Sequence, residues 1–254
     1  MQAFYIQQHG HYVATELTRG PWSDEAQHGG PPLALLGREI ERAAGGGFVA
    51  RLTAELLRPL PFGTYELSCE LLRPGKRARL FQARLSLNGS ECARATALLL
   101  QEAPVELPQP PIRPRLAQPE ESPEYKFSFF KAPIGYHTAM DLRVAAGVWG
   151  SGQMAAWLRM RVPLVAGEEP SPLQRVLVAA DAGNGVSAPL PVDEFVFINP
   201  DLTLHLHRRL VGDWVGLDGL TRVEGNGVGL AQAEIFDTCG PVGRSMQSLL
   251  VSRR

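Results

Sequence analysis

Cysteine is scarce in this 254-residue chain. The three cysteines, Cys69, Cys92 and Cys239, are odd in number, lie far apart and form no C-x-x-C pair. A disulfide framework needs an even set of cysteines in a small chain, and a structural zinc site needs closely spaced ligands. The cysteine content therefore indicates neither, and a reducing compartment fits it best.

The chain also lacks a strong net charge and a long hydrophobic run. Its 25 basic and 26 acidic residues give a formal charge of -1, so no electrostatic field would gather nucleic acid or anionic lipid. The N-terminus, MQAFYIQQHGHYV, has no basic segment followed by an apolar one, and no stretch approaches the ~18 apolar residues of a membrane span. We therefore expect a cytoplasmic protein with neither a nucleic-acid partner nor a membrane partner.

What the chain does contain is an internal repeat. Residues 51–60, RLTAELLRPL, match residues 201–210, DLTLHLHRRL, at five of ten positions with an offset of 150. Farther along, residues 92–100 match residues 243–251 at an offset of 151, which a one-residue loop insertion would explain. The repeat favours two domains of similar fold over one large domain.

One helix is predicted ahead of the matched strands in each half. In the first half, residues 31–44 begin with two prolines that suit a first turn, continue with apolar side chains at helical spacing, and stop at Gly45–Gly47. In the second half, Ser171 is a suitable N-cap for an apolar stripe, and Gly183 and Gly185 are expected to end the helix.

Most other segments alternate apolar and polar residues between turn signals, which is typical of antiparallel strands, and each half opens with a predicted hairpin. Residues 103–124 carry seven prolines and are predicted to be an extended linker. The pattern predicts an α+β protein with two tandem domains, residues 1–102 and 125–254, each a long helix wrapped by a curved antiparallel sheet. That arrangement is the hotdog fold.

Four motifs carry a resemblance to a known family: WSDEAQHGGPP before the first helix, ADAGNGVS at the end of the second, FINPDLTLHLHR, and VGRSMQSLLV near the C-terminus. Together they resemble the thioesterase-like superfamily of double-hotdog proteins related to bacterial acyl-CoA thioesterase II. The similarity covers nearly the whole chain outside the proline-rich segment. It implies an acyl-CoA substrate and no cofactor.

The resemblance also implies a catalytic site. In acyl-CoA thioesterase II the hydrolytic water is held by an Asp on the second helix, a Thr early in the following strand and a Gln in the last strand. The Asp matches Asp181 and the Gln matches Gln247, but the Thr position falls on Asn199. An Asn amide can still hydrogen bond a water, so the departure leaves the type of site intact while weakening the match.

Asp181 stands out from its own context, because it continues the apolar stripe of the second helix. A carboxylate there is costly unless it has partners. One interpretation is a structural Asp that accepts N–H bonds from the glycine-rich turn at 183–185. The other is a general base beside a pocket.

Gln247 shares strand parity with apolar neighbours and so faces either a ligand or the core. Its predicted counterpart in the first half is Thr96, and the counterpart of Asp181 is Ala43–Ala44. We therefore expect no acidic group at this position in the first half, which predicts one active site per chain.

The start of the first helix is a candidate for substrate binding. Gly29 and Gly30 allow close backbone approach, and with Leu33 they offer N–H groups to a developing oxyanion. A glycine-proline entry loop that serves only a tight turn is the alternative. His28 either touches substrate or stabilises that turn. His205 and His207 share a strand face, but no third ligand accompanies them, so we predict no metal.

Three functions are compatible with these residues. The first is acyl-CoA thioester hydrolysis by a water held by Asp181, Gln247 and Asn199. The second is acyl-CoA or lipid binding without hydrolysis, suggested by Asn in place of Thr. The third is a hotdog hydratase or dehydratase, which needs a His with an acidic partner, and neither helix contains that pair. A homodimer is expected from the fold type.

Overall fold

The computed structural model describes residues 2–109 and 114–254, so residues 110–113 of the predicted linker lie outside the described part of the chain. The first half runs through β1 (Tyr5–Gln8), β2 (His11–Ala14), α1 (Gly30–Ala44), β3 (Phe48–Leu56), β4 (Thr64–Arg73), β5 (Ala78–Leu87) and β6 (Ser90–Leu100). The second half runs through β7 (Met140–Gly147), β8 (Gln153–Met160), α2 (Pro172–Ala180), α3 (Gly183–Val186), β9 (Phe195–Ile198), β10 (Asp201–Leu206), β11 (Trp214–Val223), β12 (Val228–Asp237) and β13 (Gly240–Arg253). The predicted hairpin ahead of each long helix is confirmed.

The strands form one antiparallel sheet in the order β1-β2-β4-β5-β6-β3-β10-β13-β12-β11-β8-β7, with β9 added to the end of β13. Each half contributes a contiguous block of this order. A sheet of this size with few helices confirms the predicted α+β class.

The two halves meet where β3 pairs with β10. Thr53 lies opposite Thr203, and their hydroxyls are 3.3 Å apart. Because these threonines differ by the repeat offset of 150, the pairing is symmetric about them: Arg51 faces His205 on one side as Glu55 faces Asp201 on the other. The halves are therefore joined as two copies of one unit are joined across a two-fold axis.

The register corrects one part of the repeat. Thr53 pairs with Thr96 in the first half and Thr203 pairs with Met246 in the second, so the offset is still 150 in the last strand. The predicted offset of 151 is wrong there, and Thr96 corresponds to Met246. Gln247 then corresponds to Ala97, and both side chains are buried. A sequence match between short apolar strands cannot detect a slip of one residue, although such a slip exchanges the two faces of the strand.

α1 packs on β4, β5 and β6 and also runs antiparallel to α2. Its predicted apolar face is buried, with Leu33, Leu36 and Ile40 at 0% exposure. Close packing of the two helices depends on Gly37, where a Cβ atom would collide with Leu177. The start of α1 therefore lies beside the end of α2.

The predicted ends of α1 are confirmed, since Gly45 caps it in the left-handed conformation at φ 59°. Ser171 caps α2 by accepting a hydrogen bond from the Gln174 amide at 3.2 Å. The predicted stop of α2 at Gly183 is wrong. The helix ends at Ala180, the next two residues keep right-handed helical dihedrals, and Gly183 begins the short helix α3.

Candidate active site

A cavity of about 1120 Å³ opens beside the junction of α1 and α2. It is large enough to hold a substantial organic ligand. Both halves line it, through His28 and Gly29 before α1, the loop Leu56–Leu60 after β3, the segment around Asp181, and Asn199 before β10. The site therefore exists only where the two halves meet.

Asp181 caps the C-terminal end of α2 and is 4% exposed. Its Oδ1 accepts hydrogen bonds from Asn199 Nδ2 at 2.8 Å and from Gln247 Nε2 at 3.4 Å, and its Oδ2 lies 2.9 Å from His28 Nδ1. Burial alone would raise the pKa of Asp181, but the charge and hydrogen bond of His28, with donors from Asn199 and Gly30, hold this pKa below its usual value. Asp181 is therefore ionised at neutral pH.

His28 is a hydrogen-bond partner of this carboxylate. The Gly30 N–H lies 3.1 Å from the same Nδ1 atom, and one nitrogen cannot both accept from Gly30 and face an ionised carboxylate without a proton. An unprotonated Nδ1 and the Asp181 carboxylate oxygen would be two acceptors only 2.9 Å apart, and they would repel each other. Nδ1 therefore carries a proton toward Asp181, and the Gly30 N–H also serves the carboxylate.

Tyr136 fixes the His28 ring. It belongs to the 3₁₀ turn Tyr136–Thr138 ahead of β7, and its ring stacks on His28 with centroids 3.8 Å apart and planes 3° apart. Its hydroxyl donates to the Val178 carbonyl of α2 at 2.9 Å. Tyr136 thus ties His28 to the helix that carries Asp181. Tyr136 has no signal in the sequence, since it lies in an irregular segment far from both partners along the chain.

Gly29 and Gly30 lie where no side chain fits. A Cβ atom at Gly29 would be 2.7 Å from Asp181 Oδ2, and one at Gly30 would collide with the Val178 carbonyl. Leu33, expected to offer its N–H to substrate, instead donates to the Gly29 carbonyl at 3.1 Å as part of the helix. That expectation is wrong for Leu33.

Gln247 and Asn199 both contact Asp181 but hold different positions. Gln247 is 2% exposed, donates to the Asp181 carbonyl at 3.1 Å, and accepts from the Asn184 N–H at 3.2 Å. Asn199 is part of the cavity wall, and Gln247 lies behind it. Six of the residues singled out from sequence thus belong to one cluster: His28, Gly29, Gly30, Asp181, Asn199 and Gln247.

The pairing of His28 with Asp181 corrects an expectation. No His with an acidic partner was found within either helix, and a hydratase was disfavoured for that reason. The structure does contain the pair, because the His precedes α1 and the Asp follows α2. Two residues 153 positions apart give no sequence signal of contact.

One wall of the cavity is aromatic. Phe129 stacks between Phe130 at 5.0 Å and Trp149 at 5.8 Å, and Trp22 stacks on it at 6.5 Å. The Trp149 indole N–H donates to the Gly185 carbonyl of α3 at 2.9 Å, which joins this wall to the segment that carries Asp181. The aromatic wall provides a broad apolar surface next to the polar cluster.

A second, much smaller cavity of about 20 Å³ lies at the opposite ends of α1 and α2. Its wall contains the repeat counterparts of residues in the large cavity, since Phe48, Val49, Leu206 and Leu210 stand where Ile198, Asn199, Leu56 and Leu60 stand in the other half. An acidic residue is present after all: Glu41 lines this cavity and accepts from the Ser171 hydroxyl at 2.6 Å. The space holds about one water.

Within residues 2–109 and 114–254, no cluster of three or more His, Cys, Asp or Glu side chains has the arrangement of a metal site. In the same part of the chain, no helix has both the length and the apolar character required to cross a bilayer.

Comparison with known proteins identifies relatives. The family model of the acyl-CoA thioesterase N-terminal domain matches residues 18–100, and that of the acyl-CoA thioesterase C-terminal domain matches residues 109–251. No curated protein sequence is significantly similar to the chain.

Three solved structures are similar over nearly their whole length. A protein from Novosphingobium aromaticivorans assigned as a thioesterase is 19% identical, with 98% of this chain and 99% of that chain covered and a TM-score of 0.74. A hot dog fold protein of unknown function from Alicyclobacillus acidocaldarius is 13% identical, with 96% and 92% covered and a TM-score of 0.75. Acyl-CoA thioesterase II from Mycobacterium marinum is 17% identical, with 97% and 94% covered and a TM-score of 0.67. At these identities the likeness establishes the hotdog fold.

Proposed function

We propose that thioester hydrolysis, the activity of the acyl-CoA thioesterase family to which the chain belongs, takes place at the Asp181 cluster, where Asn199 binds the water and Gln247 holds the carboxylate of Asp181 in place. The observation that carries the proposal is a buried, ionised carboxylate in the wall of a large cavity, surrounded by oriented donors from both halves.

The three residues have different tasks in this proposal. Asn199 Nδ2 donates to Asp181, so the Oδ1 atom of Asn199 is the one that can accept a hydrogen bond from the water. Gln247 holds Asp181 through both its carboxylate and its backbone carbonyl. Asp181 sets the orientation of His28 and Asn199 at once, which is why we place it at the centre of the reaction.

The proton of the water needs an acceptor. Both oxygens of Asp181 already accept hydrogen bonds, and its low pKa makes it a weak base on its own. His28 has its Nδ1 proton directed at Asp181, and its Nε2 has no hydrogen-bond partner among the described residues. We assign the proton to Nε2. The water oxygen then bonds to the thioester carbon, the C–S bond breaks, and His28 returns the proton to the departing thiolate.

Free CoA release from a panel of acyl-CoA substrates tests the proposal. Asp181→Asn keeps the size of the side chain but removes the charge that holds the Nδ1 proton of His28. His28 is then no longer positioned as the acid-base group, and that loss should lower kcat by about 10²–10⁴-fold. Asp213→Asn is the matched control, since Asp213 is exposed and lies outside the cavity wall. Absence of CoA release by the wild-type protein from every acyl-CoA tried would refute the proposed function.

Hydration of an enoyl-CoA is a second candidate, favoured by the contact between His28 and Asp181. Hotdog hydratases use a His with an acidic partner, and this pair faces a cavity with a large apolar wall. The same purified protein should be given a trans-2-enoyl-CoA. Loss of the enoyl absorbance without release of free thiol would indicate hydration, and release of thiol would indicate hydrolysis.

We further propose that the halves are two hotdog domains, residues 1–102 and 125–254, connected through residues 103–124. The symmetric pairing of β3 with β10 supports this division. One active site per chain is also proposed, since the smaller cavity has Val49 in the place of Asn199 and has room for about one water. A homodimer and a cytoplasmic location stay predictions.

A further inference from the structure

We infer that the side-chain amide of Asn184 donates a hydrogen bond to the carbonyl oxygen of the bound thioester and stabilises the oxyanion that forms there. The inference rests on the proposed function, because it assigns a role at the same site. It adds a catalytic residue that was not among those singled out from sequence.

The first observation is position. Asn184 follows Asp181 by three residues, and the backbone between them keeps nearly helical dihedrals, so both side chains lie on one face. Both residues line the large cavity. The Asn184 N–H donates to Gln247 Oε1, which anchors the backbone of Asn184 to the same Gln that holds Asp181.

Asn184 also has a side-chain donor that makes no hydrogen bond among the described residues. Asn184 is 6% exposed, and its Nδ2 is buried without a hydrogen-bond partner among the described residues. A buried amide without a partner is destabilising, and native proteins rarely keep one that has no task. Asn199 and Gln247, the other amides of the cluster, have their Nδ2 and Nε2 groups bonded. A half-turn about χ2 exchanges the two ends of the Asn184 amide, so the donor reaches the cavity without movement of the backbone.

The start of α1 has few other N–H groups that could donate to the oxyanion. An oxyanion is usually held by two or more N–H groups. At the start of α1, Leu33 donates within the helix, the Gly30 N–H donates to Asp181, and the two prolines that follow have no N–H. Among the described residues of this turn, only Gly29 keeps an N–H without a hydrogen-bond acceptor.

Electrostatics makes a second donor necessary. The thioester carbonyl must approach a water beside the ionised Asp181, and the oxyanion that develops is repelled by that carboxylate. The Asn184 amide supplies a dipole on the same helical face without adding a charge. Its role is therefore greatest in the transition state, where the carbonyl oxygen becomes negative.

The test compares Asn184→Ala with Ser187→Ala. We expect Asn184→Ala to lower kcat by about 10²–10³-fold with KM changed by less than about threefold, as for loss of one oxyanion donor. Its Tm should stay within about 2 °C of wild type, because the lost amide made no side-chain hydrogen bond. Ser187 lies one turn on, and its hydroxyl bonds Gly183 and Thr221 at 2.9 and 2.7 Å. Ser187→Ala should therefore lower Tm and leave kcat unchanged.

Asn184→Asp guards against a variant that fails to fold, since it keeps the shape of the side chain and removes the donor; it should lose at least as much kcat. Wild-type kcat in either Asn184 variant would overturn the inference. If wild-type protein releases no CoA at all, the proposed function fails, and binding decides the inference. A trifluoromethyl ketone analogue of acyl-CoA, hydrated at its carbonyl, should bind Asn184→Ala at least about tenfold more weakly than wild type by calorimetry; equal affinity would overturn it.

Discussion

Substitution of Gly29 by alanine tests the geometry of the site most directly. The new Cβ atom would lie 2.7 Å from Asp181 Oδ2 and 2.9 Å from Oδ1. The shorter separation falls about 0.7 Å short of the 3.4 Å at which ordinary contact begins. Because Asp181 caps a buried helix and Gly29 begins another, the carboxylate rather than the backbone is the group free to move.

The consequence can be estimated from the hydrogen bonds. A shift of about 0.7 Å away from Gly29 carries the carboxylate out of its present contacts with His28 at 2.9 Å and Asn199 at 2.8 Å. A hydrogen bond to a charged group contributes about 1.5–3 kcal/mol. At about 1.4 kcal/mol per factor of ten, loss of one such bond lowers kcat by about 10–150-fold. Overpacking itself costs about 1–3 kcal/mol of stability, or several degrees in Tm.

The assay is release of free CoA, measured beside thermal unfolding. Gly225→Ala is the matched control, since a Cβ atom at Gly225 has nothing within 4 Å and should change neither kcat nor Tm. Gly29→Ala with kcat within about twofold of wild type would refute the reasoning. In that case the contact between the start of α1 and the carboxylate would have no part in catalysis.

Three further outcomes are expected. Tyr136→Leu removes the ring that stacks on His28 and should lower kcat/KM by about 2–12-fold. Tyr136→Phe keeps the ring and should keep most of the activity. Equal losses in the two variants would show that the hydroxyl matters more than the stacking. Burial raises the pKa of Glu41, so folding favours the protonated carboxyl. The free energy of unfolding gained in this way is present below the unfolded pKa and is lost as pH rises through the folded pKa. Glu41→Gln should therefore raise Tm relative to wild type at pH 8 and leave it equal at pH 4, and equal values at both pH would contradict the burial argument. Asn199→Leu removes a donor to the ionised carboxylate, which raises the pKa of Asp181 and should move the acid limb of kcat/KM to higher pH; an unmoved limb would mean that Asn199 does not tune Asp181.

Local signals in the sequence predicted the elements well. The caps of the two long helices, Ser171 and Gly45, are satisfied by contacts with near neighbours in the chain, so the residues alone reveal them. The turn at Asn88–Gly89 has positive φ at both residues, as an Asn-Gly hairpin requires. Repetition at an offset of 150 predicted two similar halves, and the register of β3 against β10 has the symmetry expected of that repeat.

Contacts between distant segments were less visible. The contact of His28 with Asp181 and the stacking of Tyr136 depend on how α1 lies against α2, and helix packing leaves no local pattern at those positions. Glycine is a common C-cap, so the sequence predicts that Gly183 ends the helix. It instead continues the helical path beside Gln247, whose Oε1 would be 3.1 Å from an added Cβ atom. The close contact that favours glycine at this position is with a residue 64 positions later in the chain.

The seam at Thr53 and Thr203 has a genetic consequence. In a dimer of identical subunits, every substitution appears twice, so both sites across the axis gain or lose a residue together. Two similar halves in one chain are free of that coupling, so the two ends of the helix pair can differ. Here Asp181 stands at one end over an open cavity, while Glu41 bonds Ser171 at the other end and the space is nearly filled. One end is free to be optimised for binding and the other for holding the two halves together.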